Sequence, residues 1–450
     1  MKILGIITEY NPFHNGHMYH LQKSKELCSA DYTVCVMSGN FIQRGEPALV
    51  NKHARAEMAL LSGVDLVIEL PVVYAMSTAE FFASASVKIL DSLGIVDYLC
   101  FGSESGNIKE LDHIASILCD EPLSFKVSLK KYLDEGHSFP SAREKALVEN
   151  LKKNGIDCNI LSSSNNILGI EYLKALKRLN SRISPLTIER IANSYNSEEI
   201  TGSISSATSI RKLISKINYK YIGKTNYYTC GNYEEKKDIE INNGISNEID
   251  NDIYENMDLL RKLVPESSAR ILLREFENGR GPVFPSHFEG MLLAAFRKMK
   301  VEEIASLPYV IEGLENRIKA VSDQAGTLDE LVAGISTKRY PRTRIQRILF
   351  SIITGLTAEE LNDFNSNGGP QYIRVLGFNK RGRELLAQIK KNATLPIIVK
   401  TADWKNSDNS LLRRMLEIES SATDIYVLGY SNPEFRKAGQ EFTQNLVRID

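Results

Sequence analysis

The sequence predicts an α/β protein in three parts: an N-terminal parallel sheet with helical crossovers, a mainly helical basic region, and a small C-terminal α/β piece. Three observations carry this expectation. Short β-rich runs alternate with helical patterns over the first two hundred residues. Helical periodicity takes over from about residue 259 to 389, and β character returns in the last sixty residues. A chain of 450 residues is too long for one core, so several domains are expected. The divisions fall at 1–217, 218–258, 259–395 and 396–450.

Taken in order, KILGIITEY reads as a strand, HMYHLQKSKELC as a helix and DYTVCVMSG as a strand. KHARAEMALLSG is a helix closed by Gly63, and DLVIELP is the next strand. TAEFFASASVKILDSLG is a longer helix, followed by the strand VDYLCFGSE. Apolar strands joined by helices argue for a parallel sheet covered on both faces. The unit closes at SATSIRKLISKI. From Asn218 to about Asp258 the composition turns to Asn, Tyr, Lys and Glu with little apolar periodicity, which reads as a linker or mobile insertion. VEEIASLPYVIEGLENRIKAVS and RTRIQRILFSIIT are helical. LPIIVK and TDIYVLGY read as β segments around the helix NSLLRRMLEIES.

Composition narrows the function classes. No apolar run is long enough to span a bilayer, and MKILGIITEYNP lacks a small-residue cleavage site, so it reads as a first buried strand. The six cysteines are scattered with no C-x-x-C pair. That argues against a zinc ribbon or a disulfide framework and for a reducing cytoplasm. A net charge of -1 conceals an asymmetry: residues 335–391 hold 11 Lys+Arg against 4 Asp+Glu, which suggests a polyanionic partner.

The chemistry concentrates in EYNPFHNGHMYHL, residues 9 to 21, where His14 and His17 flank Asn15-Gly16 at a strand-to-helix turn. Ligands of an open parallel sheet sit at the carboxyl ends of its strands. Helix N-termini there offer unpaired N–H groups and a dipole that favours anions. Gly16 lets a flat ring or sugar approach the backbone. Two imidazoles three residues apart share a face and can donate to phosphate oxygens as charge builds during nucleotidyl transfer. The competing reading has one histidine capping the helix and the other packed in the core. Later, TKRYPRTRIQR offers Lys338, Arg339, Arg342, Arg344 and Arg347 around Tyr340, and RVLGFNKRGRELL adds Arg374, Lys380, Arg381 and Arg383. Arginine forks match phosphate oxygens and an aromatic ring can stack on an unpaired base, so both runs point to RNA. The alternative is a solvated, salt-bridged helix face.

NPFHNGH resembles the His-x-Gly-His signature of the nucleotidyltransferase superfamily, which shares its ATP-binding fold with class I aminoacyl-tRNA synthetases. SATSIR, Ser206 to Arg211, is similar to that family's second motif, with Ala207 where a second hydroxyl often stands. SGNFIQRGEPALVNKHARAEMAL (38–60), FGSES (101–105), SNNILGIEYLKAL (164–176) and TKRYPRTRIQRIL (337–349) together resemble the bacterial tRNA(Met) cytidine acetate ligase family over essentially the whole chain.

The resemblance implies that the N-terminal domain is a Rossmann-like nucleotidyltransferase domain which activates acetate as acetyl-adenylate with ATP. It further implies transfer of the acetyl group to the wobble cytidine of elongator tRNA(Met), giving N4-acetylcytidine. ATP contacts are implied at Ile7, Thr8, Glu9, Tyr10, Asn11, Pro12, Phe13, His14, Asn15, Gly16, His17, His20, Gly102, Asn165, Arg190, Thr208 and Arg211. Mg2+ would be carried by ATP rather than by a protein metal site. His14 and His17 suit the α- and β-phosphates, Thr208 and Arg211 the pyrophosphate, and Gly102 a close approach of backbone to adenine. Catalytic roles are expected at His14, His17, Arg44 and Lys52. Gln43, Arg44 and Lys52 follow the second strand, placed to meet acetate, the phosphates or the incoming cytidine, with a solvated loop as the alternative. One of Asn165 and Asn166 is expected to cap a helix. Two other readings stay open: a nucleotidyltransferase acting on a small phosphorylated metabolite, and a non-enzymatic RNA-binding factor.

Overall fold

In the computed structural model, residues 1–137, 139–190, 205–217, 256–311, 313–400, 402, 404 and 407–450 are described. The expected linker falls on 218–255, outside the described residues, and 256–258 open a helix. The strands are β1 (Ile3–Thr8), β2 (Tyr32–Ser38), β3 (Phe41–Ile42), β4 (Glu46–Pro47), β5 (Leu66–Leu70), β6 (Tyr98–Ser103), β7 (Ser184–Glu189), β8 (Ile373–Asn379), β9 (Ile397–Ile398) and β10 (Val447–Ile449). β3 and β4 form a small antiparallel hairpin. The others make one sheet in the order β10-β8-β5-β2-β1-β6-β7, with β9 also paired to β8.

Every pairing in that sheet is parallel except β5 with β8. Residues Leu66 to Leu70 are buried throughout, as a strand with both faces covered requires. Alternate residues feed two cores: Val34, Val36 and Ile68 face one, and Cys35, Met37 and Val67 face the other. From β1 the chain runs through β2 to β5, then crosses back to β6 and β7. The reversal lies between β1 and β6, and a crevice opens there at the carboxyl ends. The helices Asn15–Cys28, Lys52–Leu61 and Ala79–Ser92 are the expected crossovers. Among the described residues, no helix is long and apolar enough to cross a membrane.

The C-terminal half departs from expectation in three ways. RVLGFN, read as part of a helical, basic region, is the buried strand β8. TDIYVLGY is not a strand: it finishes the helix Ser410–Tyr426 and a short 3-10 turn. That helix buries Leu412, Met415, Leu416, Glu419, Ala422, Thr423 and Tyr426 at helical spacing, and this packing overrides the β preference of Ile425 and Tyr426. Finally, residues 396–450 are no separate unit, because β9 and β10 extend the sheet through β8. The boundary at 395/396 is therefore corrected, since the segments on either side share one sheet and one buried cluster with the N-terminal strands.

Candidate active site

The helix Asn15–Cys28 begins with a capping arrangement built from two histidines. His14 is the N-cap, and its Nδ1 accepts from the Gly16 N–H at 3.1 Å. The Nδ1 of His17 accepts in turn from the His14 N–H at 3.4 Å, and the rings stack with centroids 3.8 Å apart. With both Nδ1 atoms taken as acceptors, each neutral ring carries its proton on Nε2. The two readings of the motif are thus reconciled: one edge of each imidazole caps the helix, and the other edge is an N–H donor. Tyr10 packs edge-on to His17 at 4.9 Å and holds a left-handed backbone (φ 46°), which turns the chain sharply out of β1.

These donors open into a cavity of about 230 Å³ at the β1/β6 crevice. Ile7, Thr8, Glu9, Tyr10, Asn11, His14, Gly16, His17 and His20 line it, as do Gly102, Asn165, Arg190, Thr208 and Arg211. Three expected contacts do not. Pro12 is buried, Phe13 is wholly enclosed in the core, and the Asn15 side chain donates to the Lys262 carbonyl at 2.8 Å. The helix Ala207–Lys216, capped by Ser206, points its first turn at the cavity, and Arg211 Nη1 donates to the Asn11 carbonyl at 3.0 Å. A side chain at Gly102 would meet the Arg190 stem at 3.2 Å, so this glycine makes room for an arginine beside the histidines.

Burial and nearby arginines set the electrostatics of the histidines. Burial, then Arg190 and Arg211, lower the His14 pKa from 6.5 to about 3. Burial and Arg190 bring His20 to about 4, while burial and then His14 hold His17 well below its usual value. The imidazoles are therefore neutral donors near pH 7. Stability follows with a definite sign. Histidines that protonate near 6.5 when unfolded, but not until about 3 or 4 when folded, favour the fold above pH 6.5 and lose that contribution as pH falls. The carboxyls of Glu9 and Glu419, raised by burial, act in the opposite sense but are fewer. The thermal midpoint is expected to drop by several degrees between pH 7 and pH 5. His53, held at about 4 by burial and Lys52, offers a check outside the cavity: His53→Asn should make the dependence shallower.

Neither expected asparagine caps its helix. Ser163 occupies the N-cap of Ser164–Arg178, and the Glu104 carboxylate fills the helix start by accepting from Asn166 N at 2.9 Å and Asn165 Nδ2 at 2.7 Å. Phe82, Phe101 and Tyr172 add an aromatic wall that no sequence pattern marked, because they come from three separate elements. Gly169 lets the helix approach Phe101 closely, since a Cβ there would lie 2.5 Å from the ring.

Of the three polar residues expected to act after β2, Gln43 and Arg44 line the cavity, but Lys52 does not. Lys52 is fully buried with Nζ at 2.6 Å from Glu69, 3.2 Å from Glu419, and bonded to Glu441; Arg374 bridges Glu69 and Glu441. A catalytic role for Lys52 is therefore corrected to a structural one, since a lysine enclosed by three carboxylates cannot reach a ligand. Lys52→Met should destabilise the fold by about 3–5 kcal/mol by leaving buried carboxylates underpaired. Chemical denaturation measures this, with nucleotide affinity of the folded fraction unchanged.

The two basic runs part company. Lys338, Arg339 and Arg342 are exposed, Arg342 resting on exposed Asp329 at 2.6 Å. Arg344 donates to the Tyr309 carbonyl at 2.8 Å and Arg347 to the Gln43 carbonyl at 3.3 Å, so these two fasten the helix Arg342–Thr354 to neighbouring chain. Tyr340 is buried against the arginines rather than open for stacking. In the second run Arg374 belongs to the buried cluster. Arg381 sits by Asp65 and Asp31, which precede β5 and β2, at the end of the sheet opposite the cavity.

Known proteins agree on where this architecture belongs. The family description HIGH Nucleotidyl Transferase matches residues 1–441. The chain is 53% identical over 447 residues to the tRNA(Met) cytidine acetate ligase of Acetivibrio thermocellus, covering 99% of this chain and 100% of that one. It is 44% identical over 450 residues to the ligase of the same name from Thermoanaerobacter sp., with 100% of both covered. The crystal structure of Thermotoga maritima TmcAL bound with alpha-thio ATP matches with a TM-score of 0.85 and 35% identity over 100% of both chains.

Proposed function

The chain belongs to the tRNA(Met) cytidine acetate ligase family, and we propose on that premise that its cavity turns ATP and acetate into acetyl-adenylate for acetylation of tRNA(Met). The observation that carries this reading is the pair of capped, neutral histidines facing Arg190 and Arg211 in one cavity. Acetate attacks the α-phosphorus and pyrophosphate leaves. No covalent enzyme intermediate is needed, only positioning and charge stabilisation. His14 and His17 donate Nε2–H to the α- and β-phosphates. Thr208, Arg211 and the helix N-terminus hold the pyrophosphate. Arg190, Asn165 and the Gly102 backbone flank the nucleoside, and Arg44 meets acetate or the acceptor.

Three guanidinium groups in the lining, Arg44, Arg190 and Arg211, suit the anionic triphosphate, on which Mg2+ would arrive. The acetyl group then passes to the wobble cytidine of elongator tRNA(Met), delivered by contacts at Lys338, Arg339 and Arg342, in the cytoplasm. Arg344 and Arg347 support this surface from behind.

The test separates the two half-reactions. Protein, ATP and labelled acetate without RNA should yield acetyl-adenylate and pyrophosphate. Addition of tRNA(Met) should then give N4-acetylcytidine by nucleoside mass spectrometry. Absence of the adenylate would favour a nucleotidyltransferase acting on a phosphorylated metabolite instead.

A further inference from the structure

Acetyl transfer makes a demand that adenylate formation does not: the attacking amine must lose a proton as it bonds to carbon. The cavity's two signature histidines cannot take that proton. Their Nδ1 atoms already accept backbone N–H groups and their Nε2 atoms carry hydrogen. His20 lies beside Arg190, whose charge adds to burial in disfavouring imidazolium. Glu189 is exposed and packs its stem on Gly106.

Glu9 differs from all of these. It leaves β1 into the cavity, and its carbonyl accepts from Arg55 Nη1 at 2.6 Å. Arg55 is completely buried and also bonds the carbonyls of Ser38, Gly39 and Val50, so the base of Glu9 is rigidly fixed. Its Oε1 accepts from the Gln43 N–H at 2.9 Å, while Oε2 has no hydrogen-bond partner among the described residues. The side of the cavity is also the right one. Gln43 belongs to the hairpin segment that the basic helix touches through Arg347 and through Gln346 to Glu46 at 2.9 Å. Glu9 is thus tied, through Gln43, to the flank on which the proposed RNA surface lies.

We propose that Glu9 is the general base for acetyl transfer, a role that rests on the adenylate reading above. The cytidine N4 lone pair forms a bond to the acetyl carbonyl carbon, and the N4 proton passes to Glu9 Oε2. The bond between that carbon and the phosphate oxygen breaks, its electron pair leaving with AMP. Charged groups facing Glu9 come from three elements: Arg211, Arg44 and Arg55. Their charge favours the carboxylate and opposes the effect of burial. Burial outweighs them and raises its pKa, which strengthens it as a base.

Synthetic acetyl-adenylate and a tRNA(Met) transcript, mixed with enzyme in excess across pH 5 to 9, isolate the step. The wild-type rate should rise with pH to a plateau. Glu9→Gln should be slower by roughly a hundredfold to ten-thousandfold and lose the pH dependence. Glu9→Asp should recover the pH dependence at a reduced rate, a result that mere structural support by Glu9 does not produce. A Glu9→Gln protein that kept the wild-type rate and profile would overturn the proposal and leave the proton to the departing phosphate. Failure of wild type to make acetyl-adenylate from ATP and acetate would instead overturn the reading beneath it.

Discussion

Replacing His14 with alanine is expected to slow acetyl-adenylate formation roughly a hundredfold or more, because one preorganised donor to a developing oxyanion is worth about 3 kcal/mol. Alanine also removes the acceptor for the Gly16 N–H, which costs about 1 kcal/mol of helix stability. The two losses can be separated with His14→Asn. Asparagine is a good N-cap, so the helix start survives, but it offers no N–H where Nε2 lies. The expected result is near-wild-type thermal stability with the alanine variant's loss of pyrophosphate release, and unchanged tRNA affinity. If His14→Asn instead released pyrophosphate at the normal rate, the histidine would be a cap and nothing more.

The second large effect concerns RNA. Neutralising Lys338, Arg339 and Arg342 together should abolish tRNA acetylation while sparing acetyl-adenylate formation. The structure limits the set to these three, because removing Arg344 or Arg347 would also release Tyr309 or Gln43 and disturb the cavity. If each of the three side chains meets a phosphate, the slope of log affinity against log salt should become shallower by about two to three. Association should slow more than dissociation quickens, since long-range steering is weakened. Binding measured across a salt series decides it. Equal slopes in wild type and variant would place the RNA elsewhere.

What was legible in the sequence had local causes. The N-terminal strands and crossovers declared themselves because each strand is apolar and each helix has its own periodicity and stop. The histidine motif was legible because its spacing and its glycine act within one turn. What escaped was decided by partners far away. Nothing around Lys52 marks it as enclosed, since its carboxylates come from β5, the helix Ser410–Tyr426 and Glu441 near the chain's end. Arg374 reads as part of a basic run until β8 pairs with β5 and turns it inward. The aromatic wall of Phe82, Phe101 and Tyr172 exists only once three elements converge. Charge counting pointed to a polyanionic partner but could not sort the individual arginines: a guanidinium that ties down a carbonyl looks, in sequence, like one waiting for a phosphate.

The antiparallel pairing of β8 with β5 has a consequence for how the chain is made. Lys52 and Glu419 meet across 367 residues, and until β8 emerges from the ribosome the edge of β5 has no neighbour. At roughly 5–20 residues per second, the nascent nucleotide-binding half waits about 15 to 60 seconds with an apolar strand edge and a buried-to-be lysine exposed. A message cut short after Arg211 but before Ile373 thus encodes every residue lining the cavity but not the strand that closes its sheet. Nonsense products of this gene are accordingly substrates for chaperones and proteases rather than free-standing adenylating fragments.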